Sequence, residues 1–156
     1  MSKPVFAVDV GGVLASLQHD GMPTMDSLPI LHELEPYFEL WVVSMCGKGR
    51  ALHTRHWLKQ WMFPFPVERQ IYIPFRDKNK NAELKKIGAR YFIDDRIKHI
   101  APALNHCPKL VLALHFQFDR PIMPGQVIEN RYLNVNTWKQ VRNILLPDGF
   151  PVYEKI

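Results

Sequence analysis

The sequence predicts an α/β fold: a mostly parallel sheet of five strands with helices on both sides. Three observations carry this expectation. Short apolar runs recur along the chain and stop at Gly, Ser or Asp. Between them lie stretches whose apolar residues recur at helical spacing. The runs are apolar at successive positions rather than at alternate ones, as in strands covered on both faces.

Residues 5–10 form the first strand, broken by Gly11-Gly12. Residues 13–25 are irregular, with Gly21 and Pro23. A short helix is expected over 26–35, with Asp26 as N-cap and an apolar stripe of Leu28, Ile30, Leu31 and Leu34. The second strand covers 38–43 and stops at Ser44. A helix over 50–62 presents Ala51, Thr54, Leu58, Trp61 and Met62 on one face, and Pro64 and Pro66 end it. A third strand covers 70–73. Asn79 or Asn81 opens a helix to Ile87, closed by Gly88. A fourth strand at 90–93 exits at Asp94-Asp95, and a helix over 97–104 follows. The fifth strand covers 110–114. A long loop with Pro121 and Pro124 precedes a last helix, capped by Asn136 or Thr137 and running to Leu146. Five strands alternating with helices define a Rossmann-like three-layer sandwich.

At 156 residues the chain has the length of one domain, expected over 1–156, with a core that needs no staples. An apolar share of 47% and a charged share of 22% exclude a disordered, collagenous or disulfide-scaffold chain. Twenty Lys+Arg against 15 Asp+Glu give a net charge of +5, a moderate bias toward anionic partners. Cys46 and Cys107 are two isolated thiols, so a reducing, cytoplasmic setting is expected. The N-terminal apolar run meets Asp9 too soon for a signal peptide, and no apolar stretch is long enough to span a membrane.

In open α/β sheets ligands bind beyond the carboxyl ends of the strands. Asp9 stands at the first exit, Ser44 at the second, Lys78 and Lys80 after the third, and Asp94 and Asp95 at the fourth. Carboxylates hold Mg²⁺, while Ser, Lys and free backbone N–H groups hold phosphate oxygens. The set suits a divalent cation with a phosphoryl group.

This arrangement resembles the haloacid dehalogenase-like hydrolase superfamily. VFAVDVGGVLAS resembles its first motif, LWVVSMC its second, and KNAELKKIGARYFIDDR its third and fourth. The anchors lie in the right order from residue 5 to 95, and the remaining elements extend the likeness over nearly the whole chain. The resemblance implies a Mg²⁺-dependent phosphatase in which Asp9 attacks phosphorus and forms an aspartyl-phosphate. Mg²⁺ would sit between Asp9, the main-chain carbonyl of Gly11 and an acid from Asp94-Asp95. Ser44 would bind phosphate. Lys80, or else Lys78, would be the motif lysine. The small nucleotidase-like members look closest, given FIDDR and the Trp138 helix.

One departure stands out. The superfamily's phosphatases carry a second Asp two positions after the nucleophile as general acid and base, and Gly11 occupies that position here. A general acid contributes about 10²–10⁴-fold. The expectation divides three ways: a substrate with a good leaving group, a proton supplied by His19 or Asp20, or a catalytically impaired domain that binds phosphate or nucleic acid without turnover. Asp9 and Ser44 are separated by 34 residues, and Ser44 and Lys80 by about 35, which leaves no room for a cap domain. In this superfamily capless members often take large substrates, so a phosphorylated substrate, nucleotide or nucleic acid is the expected partner.

Each residue also has a plainer reading. Asp9 and Ser44 are possible turn residues, Lys80 a solvated helix residue, and Asp94-Asp95 a helix cap. The segment 48–65 interleaves Lys48, Arg50, His53, Arg55, His56 and Lys59 with Trp57, Trp61, Phe63 and Phe65. This is either a nucleic-acid surface or, preferred here, an amphipathic helix with core tryptophans. His53 and His56 lack a third metal ligand. Gly47-Lys48-Gly49 lacks the flanking Gly and Ser or Thr of a P-loop. Cys46 reads as a small buried thiol.

Overall fold

The computed structural model describes residues 2–15, 21–117 and 131–154. The elements are β1 (Val5–Val8), α1 (Ser27–Leu34), β2 (Glu39–Met45), α2 (Lys48–Gln60), β3 (Gln70–Ile73), α3 (Asn81–Ile87), β4 (Ala89–Asp94), α4 (Ile97–His106), β5 (Leu112–Phe116), β6 (Tyr132–Val135) and α5 (Trp138–Leu145). The sheet has six strands in the order β3-β2-β1-β4-β5-β6, and each neighbouring pair is parallel. The α/β class is as expected, but the five-strand count is corrected to six. The added strand, β6, is buried only at its two ends, with Leu133 exposed and Asn134 half-buried at the sheet edge. It therefore lacks the continuous apolar run that marks a strand covered on both faces.

The chain winds outward from β1 through β2 to β3, then returns to β4 on the other side of β1. The strand order thus reverses between β1 and β4, where a doubly wound sheet opens a crevice at its carboxyl edge. Among the described residues, only α1 lies between β1 and β2, and only α2 and a short 3-10 turn lie between β2 and β3. Among the described residues neither connection carries a cap.

The two-residue period of each strand sorts its side chains between two cores. Phe6, Val8, Val42, Ile93, Leu114 and Phe116 join α1, α2 and α5 on one side. Ala7, Val43, Phe92 and Ala113 join α3 and α4 on the other. Phe38 fixes the first core edge-on to Phe6, Tyr91 and Tyr153. Trp138 is buried there and donates its indole N–H to the carbonyl of Val13 at 3.0 Å.

Helix ends follow local chemistry. Thr137 caps α5 by accepting from the Gln140 N–H at 3.1 Å. Gly88 ends α3 at φ 67, the left-handed geometry glycine adopts without steric cost. Asp26 is not the side-chain cap expected for α1: it sits in a left-handed turn and its carboxylate accepts no capping bond. No helix among the described residues is long and apolar enough to cross a membrane.

Candidate functional site

Asp9 follows the last residue of β1, and its N–H donates to the Ile93 carbonyl at 3.1 Å. This bond carries the β1–β4 pairing one residue further, so Asp9 stands beside Asp94 at the end of β4. Lys80 enters from the residue before α3 and is 1% exposed. Its ammonium donates to Asp9 Oδ1, Asp94 Oδ2 and the Val43 carbonyl, each at 2.8 Å. An ammonium has three N–H donors, and all three are used. Lys78 lies exposed in a positive-φ turn, so Lys80 is the lysine that reaches the strand ends.

Asp94 does two jobs. Its Oδ2 accepts from Lys80, while its Oδ1 accepts from the Arg96 N–H at 2.9 Å and orders the turn into α4. The helix-entry reading thus holds for this residue, and its other carboxylate oxygen lies in the cluster with Lys80. Asp95 completes a cluster: one carboxylate oxygen from each of Asp9, Asp94 and Asp95 lies within 4.8 Å of the others. Gly12 makes room for it. A Cβ on Gly12 would lie 2.2 Å from Asp95 Oδ2, and Gly12 has φ +77. Gly12 is therefore a site residue by its lack of a side chain, not merely a strand breaker.

Burial, then the neighbouring Asp94, raises the Asp9 pKa, against the opposing pull of Lys80. Burial, then Asp9 and Asp94, pushes Asp95 up to about 8. Burial works against the charged form of Lys80, but Asp9 and Asp94 outweigh it and hold its pKa above the ordinary lysine value. Three carboxyl groups thus face one ammonium. A cluster of three hard oxygen donors, whose ionised forms a bound cation would favour, could hold a divalent cation. Among the described residues this is the one such group of acidic, His and Cys ligands, and His53 and His56 take no part in it.

These groups line a cavity of about 500 Å³ together with Gly11 and Ser44. Ser44 is buried on β2, two residues before the buried Cys46. Burial raises the Cys46 pKa, so the thiol is the inert, buried group expected. His19 and Asp20, the alternative proton donors, lie outside the described residues. Trp57 on α2 is core: it donates to the Gly21 carbonyl at 2.7 Å and stacks on Phe63. Phe63 and Phe65 are buried as well and Trp61 is half-buried against the same core, so these aromatics serve packing.

Sequence reasoning missed three residues. His115 on β5 pairs in register with Asp94. Its Nε2–H donates to the Asp95 carbonyl at 3.1 Å, leaving Nδ1 to face the Tyr132 hydroxyl at 2.9 Å. It anchors the Asp94-Asp95 turn from the β5–β6 side. The available signal was a polar residue next to the apolar run LAL. His99 on α4 lines the cavity, 4% exposed, and its Nδ1 has no partner among the described residues. Burial, then the Lys80 charge, lowers its pKa to about 4. Phe75 stands at the mouth, 68% exposed. Nothing in the sequence marks either His99 or Phe75.

No family model matches the chain, and no curated protein matches it either.

Proposed function

We propose that this chain is a Mg²⁺-dependent phosphohydrolase of the haloacid dehalogenase-like type, acting through an aspartyl-phosphate on Asp9. One observation supports the reading above the others: a buried lysine bridges the carboxylates at two neighbouring strand ends, at the point where strand order reverses. Structural ion pairs of this burial are costly to hold, and a site that must position a carboxylate nucleophile explains the arrangement.

Asp9, Asp95 and Asp94 would hold the cation, with the Gly11 carbonyl as the expected fourth donor. Bound there, Mg²⁺ would neutralise phosphate charge so that an anionic nucleophile can approach. Lys80 fixes Asp9 Oδ1, and the other Asp9 oxygen would attack phosphorus. As the new O–P bond forms, the bond to the leaving oxygen breaks, and that oxygen departs with its electron pair. Ser44 donates to a phosphoryl oxygen. Water then attacks the aspartyl-phosphate, releasing phosphate and restoring the carboxylate. With Gly11 at the acid position, the leaving oxygen receives no proton from that residue. Aryl phosphates, acyl phosphates and phosphoanhydrides are therefore the favoured substrates.

Phosphate release from an aryl phosphate should require Mg²⁺ and fall to background in Asp9→Asn. Equal slow release by both proteins would sink the proposal. Gly11 favours a second reading, a pocket that binds phosphate or nucleic acid without turnover. That reading gains if Mg²⁺ and phosphate bind but no member of a broad phosphoester panel is hydrolysed.

A further inference from the structure

Resting on the phosphohydrolase reading, we propose that the substrate is the phosphorylated end of a single-stranded nucleic acid. Its terminal phosphate would enter the acidic floor, with its first base against Phe75 and its next phosphate among the cations at the rim. The floor of the cavity is lined by acidic residues and the rim by basic ones. The floor has three carboxyl groups and Lys80. The rim has Arg50 from the first turn of α2, and Arg96 and Lys98 from the start of α4. None of these three rim cations forms an ion pair with a carboxylate among the described residues. One terminal phosphate needs only the floor. Three further unpaired cations fit a ligand whose negative charge continues past the scissile group, as a phosphodiester does.

Phe75 supplies a second, independent observation. It lines the same mouth, on the 3-10 turn after β3, with two-thirds of its surface in water. An aromatic face beside free cations is a stacking platform for a base and tolerates any of them. The basic surface continues away from the mouth. The 13 residues of α2 contain no acidic side chain, and Lys48, His53, Arg55, His56 and Lys59 are exposed. Arg55 lies over the Tyr72 ring at 5.0 Å, joining α2 to the edge strand β3. A strand of several nucleotides leaving the cavity would meet this face. A phosphopeptide supplies one phosphate and no repeating charge, so it leaves the rim cations unused.

The test uses wild-type protein with Mg²⁺. Phosphorylated mono-, di-, tetra- and octanucleotides, carrying the phosphate at either end, are compared with an aryl phosphate and a phosphoserine peptide. The proposal expects kcat/KM to rise about tenfold from mononucleotide to tetranucleotide and to fall steeply with added salt. Phe75→Ala and Arg50→Gln should lower the oligonucleotide value several-fold more than the aryl phosphate value. Equal values for all chain lengths, or a preference for the phosphopeptide, would overturn it. Equilibrium binding of oligonucleotides ending in a non-hydrolysable phosphonate reads the same point without turnover. The phosphonate end should bind about tenfold tighter than a hydroxyl end, and equal binding overturns the proposal. If no phosphoester is hydrolysed yet the phosphonate end binds preferentially, the hydrolase reading fails and the nucleic-acid reading stands.

Discussion

The two sides of the sheet solve burial differently. Toward α1, α2 and α5 the core is aromatic, with Phe6, Phe38, Tyr91, Phe116 and Trp138 filling it. Toward α3 and α4 the sheet presents small residues, among them Ala7, Ala89 and Ala113, against Ala103 of α4. At the carboxyl edge of this second side sit Lys80, Asp9 and Asp94, with His99 beside them along the cavity. The first side is stable because apolar area leaves water. The second holds charges whose burial is offset mainly by one another. Stability and chemistry are therefore separable by side, and substitutions should reveal it.

The largest effect should come from Lys80→Met. It strips two buried carboxylates of their cation, and removing one partner of such a pair costs about 3–5 kcal/mol. Urea unfolding should show that loss, and phosphate release should vanish with it. Trp138→Ala is its counterpart on the aromatic side. Truncating a buried Trp costs about 3–5 kcal/mol, here with the bond to Val13 lost as well. Below its new unfolding midpoint this variant should keep the wild-type rate. If Trp138→Ala lost turnover while fully folded, the separation of the two sides would be wrong.

Next in size is the acid response of His99. Its folded pKa of about 4 lies below its ordinary 6.5. The unfolded chain therefore takes up a proton first, and stability present above pH 6.5 is lost as pH falls toward 4. Between those limits the loss is on the order of 2–3 kcal/mol. His99→Phe should flatten this part of the stability–pH curve. An unchanged curve would show that His99 is not the group responsible.

Smaller still is Gly12→Ala. A left-handed non-glycine residue costs about 1–2 kcal/mol, and the new methyl would push Asp95 from its place. The Mg²⁺ concentration needed for half-maximal activity should rise more than the stability falls. A stability loss with no change in Mg²⁺ requirement would remove Asp95 from the cation site.

The strand exits were legible for a physical reason. A strand buried on both faces is written as an unbroken apolar run, so the first polar residue after it marks the carboxyl edge. This puts Asp9, Ser44 and Asp94 near the carboxyl edge without a structure, although Ser44 and Asp94 are themselves strand residues and Asp9 follows a strand that ends at Val8 rather than Val10. The same rule hides β6, whose middle residues are an exposed Leu133 and a polar, half-buried Asn134. It also hides His115, because the expected strand stopped at Leu114 while β5 continues to Phe116. Lys80 against Lys78 was open in the sequence, since two lysines two residues apart differ only in which one the turn at Lys78 directs inward. The role of Gly12 required coordinates, because it consists of space taken up by Asp95 from 83 residues further along the chain.

The account turns on a phosphoryl group passing through Asp9, and chemical trapping tests that step directly. Wild-type protein turning over an aryl phosphate with Mg²⁺ is quenched and reduced with borohydride, which converts an acyl phosphate to an alcohol. Peptide mass spectrometry should then find the reduced side chain at residue 9 only when substrate was present. Phosphate release with residue 9 unmodified under all conditions would contradict the account.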